Sequence, residues 1–353
     1  AALLRAAPAE AGQKATPLLE RGAPSAGEDP RLAFDGEPKW LPKTVGKVRR
    51  LRFGDGRRVS AKKLSDRPRL FRISGLLSDE EVRAVLQAGE EWGFEHATVT
   101  DPDGSKRSDE MRTSSSAFVE GDARADPLVL SVLRLAADLT GIPRAWVQDV
   151  ATLQVLRYAA GEYYAVHYDS KPLSYYAGCE AAWAAGEQAA GWGAGGREQW
   201  QGAAEDCPRY VTLYLYLNDV PEGGETCFPL ADDRWHRQLP HQQIFDLSMG
   251  PEFVSNYSMR CIGRPPREGV LLAAPRRGDA LLWYNHVPGE PGSGNGLGER
   301  DGLAAHMAMM PDGAVKYGAN LWLNAPWWGA TPGRRERRRR RRRSSSPRGG
   351  GDL

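Results

Sequence analysis

Past residue 150 the apolar residues fall into short runs, and this feature most limits what the chain can fold into. Leu153–Tyr158, Tyr210–Leu217, Val270–Ala274, Ala280–Tyr284 and Asn320–Leu323 are apolar or alternating stretches bounded by Gly, Pro and Asp. Stretches of that length between turn formers predict strands. Helix signals lie upstream. Ser78-Asp79-Glu80-Glu81 is a capping box with Val82, Val85 and Leu86 on one face behind it. Asp126-Pro127 supplies an N-cap and a first-turn Pro, an apolar run covers Leu128–Leu139, and Gly141 closes it. Helices first and strands afterwards predict an α+β fold, with helices buttressing a β-sandwich or barrel.

The 353 residues divide into a flexible Ala/Pro/Gly/Glu-rich leader over 1–40, a short N-terminal extension over 41–67, one domain over 68–328 and an Arg-rich tail over 329–353. Charge follows the same division. The whole chain carries +2, but Arg334–Arg343 holds nine Arg and one Glu, which leaves −6 for the rest. The basic tail therefore reads as a solvated end, with a nuclear-localisation or RNA-binding tail as the rival. The acidic body gives no nucleic-acid surface, since phosphate backbones need a basic one. No apolar run reaches the ~18 residues of a membrane span. The chain starts at Ala1, not Met, which leaves open a signal or anchor ahead of it.

Four Cys without a CxxC pair exclude a disulfide scaffold and a zinc ribbon. Cys179 and Cys207 bracket an Ala/Gly/Trp-rich insertion over 178–206, as a bridge or as two buried thiols; the spacing leaves both open. Asn256-Tyr257-Ser258 is a glycosylation sequon, informative only in a secretory setting.

Among six His, His167 alone has a carboxylate two positions on in a strand-like setting, in Tyr164-Ala-Val-His167-Tyr-Asp169. Residues i and i+2 of an extended chain share a face, so His167 and Asp169 can meet one ion. A second imidazole would complete the two-His, one-carboxylate face that leaves positions open on non-haem Fe(II). His306 is the best candidate, with His286 as its competitor. His236 and His241 read as solvent-exposed, and His96 as structural or exposed. Lys316, ten residues beyond His306, suits the far carboxylate of a co-substrate. Arg112, Thr113 and Ser114 read either as active-site rim or as a plain connection.

At this point the sequence resembles the prolyl 4-hydroxylases. The blocks are Gly75-Leu-Leu-Ser-Asp-Glu-Glu81, Arg112-Thr-Ser-Ser115, Leu153-Gln-Val-Leu-Arg-Tyr158, Gly161 to Asp169, Thr212 to Asp219, Gly223-Gly-Glu-Thr-Cys-Phe-Pro229, Gly278 to Asn285, and Lys316 with Trp322. They keep the family's order over residues 68 to 325. Within the family, His-x-Asp-Ser-x-Pro and Gly-Gly-Glu-Thr-x-Phe-Pro followed by Ala-Asp are similar to the transmembrane type. The chain lacks that type's EF-hand insertion between the first helix and the metal strand. After His306 it reads Met-Ala-Met-Met-Pro where the family has small residues and Pro-Val.

The resemblance implies a double-stranded β-helix, or jelly roll. It implies Fe(II) held by His167, Asp169 and His306, and 2-oxoglutarate anchored by Lys316 and hydrogen-bonded by Tyr158 and Thr212. Tyr164 and Trp322 would line the pocket. The activity implied is O2-dependent hydroxylation of a proline-containing peptide at C4, giving succinate and CO2, with L-ascorbate restoring oxidised iron. The compartment implied is the endoplasmic reticulum. The rival readings are a related oxygenase with another substrate and a non-catalytic binding module of the same fold.

Overall fold

In the computed structural model, the described residues are 16–17, 38, 40–96, 99–100, 106–107, 111–142, 144–176, 179, 207–231, 234–239, 243–244, 252–262, 269–289 and 297–324. Strands β1 (Val48–Arg52), β2 (Arg58–Ser65) and β3 (Leu70–Ser74) lead into helix α1 (Asp79–Trp92). Strand β4 (Ser115–Phe118) precedes helices α2 (Pro127–Thr140) and α3 (Arg144–Val150). Then come β5 (Thr152–Tyr158), β6 (Tyr164–His167), β7 (Arg209–Tyr216) and β8 (Thr226–Phe228). Helix α4 (Phe253–Ile262) follows. The last strands are β9 (Leu271–Ala273), β10 (Ala280–Tyr284), β11 (His286–Pro288), β12 (Leu297–Arg300), β13 (His306–Ala308) and β14 (Lys316–Asn324).

Among the described residues, besides two small two-stranded sheets of which β11–β12 is one, the strands build two main sheets that face each other. The larger has ten strands and runs β1-β2-β3-β10-β7-β14-β5-β4, with two-residue strands at its edges; the smaller has four, in the order β6-β13-β8-β9. With helices against the larger sheet, this is a double-stranded β-helix, the expected α+β architecture. The central strands β5, β7, β10 and β14 are covered on both faces, which explains why they read as nearly continuous apolar runs. On β7, Val211, Leu213 and Leu215 enter the core shared with the helices, whereas Tyr214 and Tyr216 enter the core between the sheets. That alternation follows from the two-residue period of a strand.

Both expected helices form, for the expected reasons. Ser78 Oγ accepts from the Glu81 N–H at 3.2 Å, and the Glu81 carboxylate accepts from the Ser78 N–H at 2.9 Å. Glu81 also accepts from Arg57 and from Ser131 Oγ, so one buried carboxylate fastens α1 to the β1–β2 hairpin and to α2. Asp126 caps α2 at the N–H groups of Leu128 and Val129, and Gly141 ends it at φ 73°, where a side chain would be strained.

The segment 41–67 contributes β1 and β2 directly to the larger sheet. Its alternating Arg, Lys and short apolar residues carry too little hydrophobic pattern to predict strands. Two disulfides are present, Cys179–Cys207 around the insertion and Cys227–Cys261 between β8 and α4. Most of the leader, the insertion and the tail, together with His241, lie outside the described residues. Among the described residues no helix is long and apolar enough to cross a membrane.

Candidate metal centre

His167 and His306 face each other across two strands of the smaller sheet. β6 and β13 are antiparallel, and His167 and His306 are register partners, with ring centroids 4.3 Å apart. Asp169 lies just past the end of β6. His306 Nε2 is 3.6 Å from one Asp169 oxygen and His167 Nε2 is 3.9 Å from the other. One ligand atom from each of the three lies within 4.8 Å of the others. Strand pairing therefore brings together residues 139 positions apart in sequence, a separation equal to that between 167 and 306.

Each imidazole is held in one tautomer. His167 Nδ1 is 2.8 Å from the Ala165 carbonyl and His306 Nδ1 is 3.0 Å from the Ala304 carbonyl. A carbonyl only accepts, so Nδ1 carries the proton in both rings and each Nε2 presents its lone pair to the centre. Burial pushes the His167 imidazole down to about 3, helped by neighbouring His306. For Asp169 burial acts the other way, yet His306, His167, Arg209 and the Thr212 hydroxyl hold the carboxyl below its ordinary range. Neutral imidazole beside ionised carboxylate is the state a metal ion requires. Tyr164 stacks on His167 at 3.5 Å between centroids, and Arg112 lies over the outer face of Tyr164.

Asp169 is held by a chain of buried hydrogen bonds that sequence reasoning did not find. Thr212 Oγ1 donates to Asp169 at 2.7 Å, Asn285 Nδ2 donates to Thr212 at 2.9 Å, and Trp283 Nε1 donates to Asn285 Oδ1 at 3.0 Å. The single Thr212 proton goes to Asp169 in this structure. Thr212 thereby orients the Asp169 carboxylate. Asn285→Ala should weaken divalent-metal affinity by about tenfold, the low end of what losing an outer-shell partner costs. Competition against a fluorescent chelator measures this, and an unchanged affinity would count against the relay.

His286 is not at the centre. Its Nδ1 donates to the Gly298 carbonyl at 3.1 Å, so its Nε2 accepts from Ser170 Oγ at 2.7 Å, and Ser170 in turn bonds the Tyr176 hydroxyl. Burial pushes His286 down to about 4, consistent with a neutral acceptor. Segment 283–286 therefore grips the Asp169–Ser170 turn at two points. Polar Asn285 and His286 directly after an apolar strand were the available signal. His236, expected in solvent, is 4% exposed and bonds the Tyr257 hydroxyl at 2.8 Å; its place beside α4 is a tertiary matter. His96 is exposed, and Arg112 with Ser114 is buried next to the centre.

Lys316 begins β14 and points between the sheets, fully buried, and its Nζ has no hydrogen-bond partner among the described residues. It lies 5.3 Å from the Tyr158 ring centroid and 5.4 Å from that of Tyr214. Gly224 makes room for its stem, since a Cβ there would sit 3.3 Å from Lys316 Cδ. Burial lowers the ammonium to about 7, against the pull of Glu225. Between pH 7 and the ordinary lysine range the unfolded chain binds the extra proton, so stability should rise with pH there. Lys316→Met removes that penalty. Its melting temperature should exceed that of the native chain most at pH 7, with the gap closing toward pH 10; a constant gap would refute the assignment.

Tyr158 is buried, and that burial lifts its phenol to about 12, so it stays a neutral donor. Trp322 is 5% exposed, its indole N–H has no partner, and the Arg209 guanidinium lies 3.6 Å over its ring. The three candidate ligands, Lys316, Tyr158, Tyr164, Thr212 and Trp322 thus all stand around the space between the sheets. Buried donors without partners among the described residues and three converging lone-pair ligand atoms fit an iron ion and an anionic co-substrate.

No family model matches the chain. It is similar in sequence to prolyl 4-hydroxylases. It is 27% identical over 214 residues to the transmembrane prolyl 4-hydroxylase of Mus musculus, a match covering 61% of this chain and 37% of that protein. To the probable prolyl 4-hydroxylase 6 of Arabidopsis thaliana it is 29% identical over 232 residues, covering 64% of this chain and 62% of the relative. The chain thus spans well under half the length of its mouse relative. Among solved structures, a viral collagen prolyl hydroxylase from Paramecium bursaria Chlorella virus-1, in its 2OG complex, aligns over 72% of this chain and 94% of that one, at 16% identity and a TM-score of 0.39. A Pseudomonas putida prolyl-4-hydroxylase aligns over 72% of this chain and 92% of its own, at 13% identity and a TM-score of 0.38.

Proposed function

We propose that this chain is an Fe(II)- and 2-oxoglutarate-dependent dioxygenase that hydroxylates peptidyl proline at C4 and releases succinate and CO2. The observation that carries the reading is the meeting of His167, Asp169 and His306 within 4.8 Å, beside a fully buried Lys316 whose ammonium has no partner. Sequence similarity to prolyl 4-hydroxylases supports the choice of substrate class.

The two Nε2 atoms and the Asp169 carboxylate would hold the iron and leave three positions for co-substrate and O2. Bound iron supplies the redox chemistry that couples decarboxylation of the 2-oxo acid to hydroxylation. The chain's own residues do the rest. Lys316 neutralises the far carboxylate by a charge-assisted hydrogen bond, and the neutral Tyr158 phenol donates to it. Thr212 fixes which Asp169 oxygen faces inward, Tyr164 packs the His167 ring, and Trp322 walls the opposite side. The dry surroundings exclude water from the reacting groups.

Residues 68–328 carry the dioxygenase domain in this reading, and the strands of 41–67 extend its larger sheet. L-ascorbate serves as reductant. The two disulfides favour an oxidising compartment, the endoplasmic reticulum. The test is 2-oxoglutarate turnover with Fe(II) and ascorbate against a panel of proline-containing peptides, scored by hydroxyproline and succinate. Coupled turnover on one peptide class, lost in His167→Ala, is expected. Equal turnover by native chain and variant would overturn the metal assignment, and turnover without hydroxyproline would overturn the substrate.

A further inference from the structure

We propose that the Tyr214 hydroxyl is a further recognition group for the far carboxylate of the co-substrate, acting beside Lys316 and Tyr158 to select a dicarboxylic 2-oxo acid. This rests on the 2-oxoglutarate reading of the site and adds a residue that neither the motifs nor the resemblance singled out.

Tyr214 is 5% exposed, and its hydroxyl is buried without a hydrogen-bond partner among the described residues. A native interior seldom leaves such a donor unmet, because an orphaned polar group forfeits its hydration for nothing. The Lys316 ammonium, on the neighbouring strand β14, is orphaned in the same way, 5.4 Å from the Tyr214 ring centroid. Both side chains project from the larger sheet toward the smaller one. Two unmet donors side by side call for one acceptor-rich anion, and a carboxylate has the two oxygens to meet both. Glu225 also has a buried, unpartnered oxygen and acts electrostatically on Lys316, but no hydrogen bond or ion pair joins the two.

The backbone makes room for this hydroxyl. Gly318 on β14 faces it, and a Cβ at that position would come within 2.2 Å of the Tyr214 oxygen. Any larger residue at 318 would push the phenol away from its place next to Lys316. Thr212, one step along the same face of β7, gives its proton to Asp169 in this structure. Tyr158, also within reach of Lys316 from β5, has Ser114 hydrogen-bonded to its phenol and serves the same carboxylate. On β7 the Tyr216 hydroxyl is already bonded to Thr226 and the Ala273 carbonyl, which leaves Tyr214 as the phenol on this face of the strand whose hydroxyl meets no partner among the described residues. Burial raises its pKa well above the ordinary value, so it remains a donor across the working range.

The test is calorimetric titration of the full chain loaded with Mn(II), with 2-oxoglutarate and with 2-oxopentanoate, which keeps the 2-oxo acid end and lacks the far carboxylate. Tyr214→Phe removes one oxygen and keeps the ring, so the fold is retained, and an unchanged melting temperature checks this. The variant should bind 2-oxoglutarate about tenfold more weakly, the effect of one hydrogen bond to a charged group, and 2-oxopentanoate as the native chain does. Lys316→Met serves as the yardstick. Should the native chain fail to bind 2-oxoglutarate, the reading of the whole site falls. Should Lys316→Met weaken 2-oxoglutarate while Tyr214→Phe leaves it unchanged, or weakens both ligands equally, this inference alone is overturned.

Discussion

Replacing His306 by Ala should reduce 2-oxoglutarate turnover to background and remove stable binding of Fe(II). The expected loss of metal affinity exceeds the roughly 10–100-fold that follows from losing an outer-shell partner, because a ligand itself is gone. His306 sits on the short strand β13, between β6 and β8, and its Nε2 lone pair is aimed by the bond from Nδ1 to Ala304. The variant keeps that strand pairing, so the fold survives and the deficit is local. Metal content after dialysis, measured beside the melting temperature, separates the two. Retention of bound iron with a normal melting temperature would show that His306 is no ligand. His286→Ala makes the matching control. Its ring holds Ser170 and not the centre, so metal should still bind, more weakly than in the native chain.

The second large effect concerns stability. Removing Cys227–Cys261 by the double change to Ala should cost about 4 kcal/mol, the chain-entropy value for a closed loop of 34 residues. For a domain of this size that is a fall in melting temperature on the order of 10 °C. The bridge ties α4 to β8, the strand next to the one carrying His306. The same helix reaches β6 through Ser258 Oγ, which accepts from the Val166 N–H at 3.1 Å, one residue before His167. Loosening α4 should therefore weaken metal binding as well as stability. Calorimetry of native and variant chains, with and without metal, reads both effects. A change below about 1 kcal/mol would mean that packing of Phe253 and its neighbours already holds α4 in place.

Much of the architecture is legible before folding. The capping box at Ser78, the Asp126-Pro127 start and the Gly141 stop are local chemistry, and α1 and α2 appear where those residues put them. The central strands β5, β7, β10 and β14 announce themselves because both of their faces are buried. Harder to read are β8 and β13, each three residues long. Such strands have too few residues to show a period and exist only because their neighbours supply hydrogen-bond partners.

The candidate site divides along the same line. His167 and Asp169 are paired by the geometry of one extended segment, so the sequence alone sets them on a common face. That His306, and not His286, completes the group was decided by the antiparallel register of β6 with β13, a long-range pairing that no local pattern records. The sequence likewise identifies Lys316 as a cation of interest but says nothing of its burial between two tyrosines. The roles of Thr212, Asn285, His286 and Tyr214 belong wholly to the tertiary structure. Each depends on which hydroxyl, amide or imidazole finds a partner across sheets. Side-chain type is inherited from the sequence, whereas the commitment of its protons is settled only when distant strands come within 3 Å.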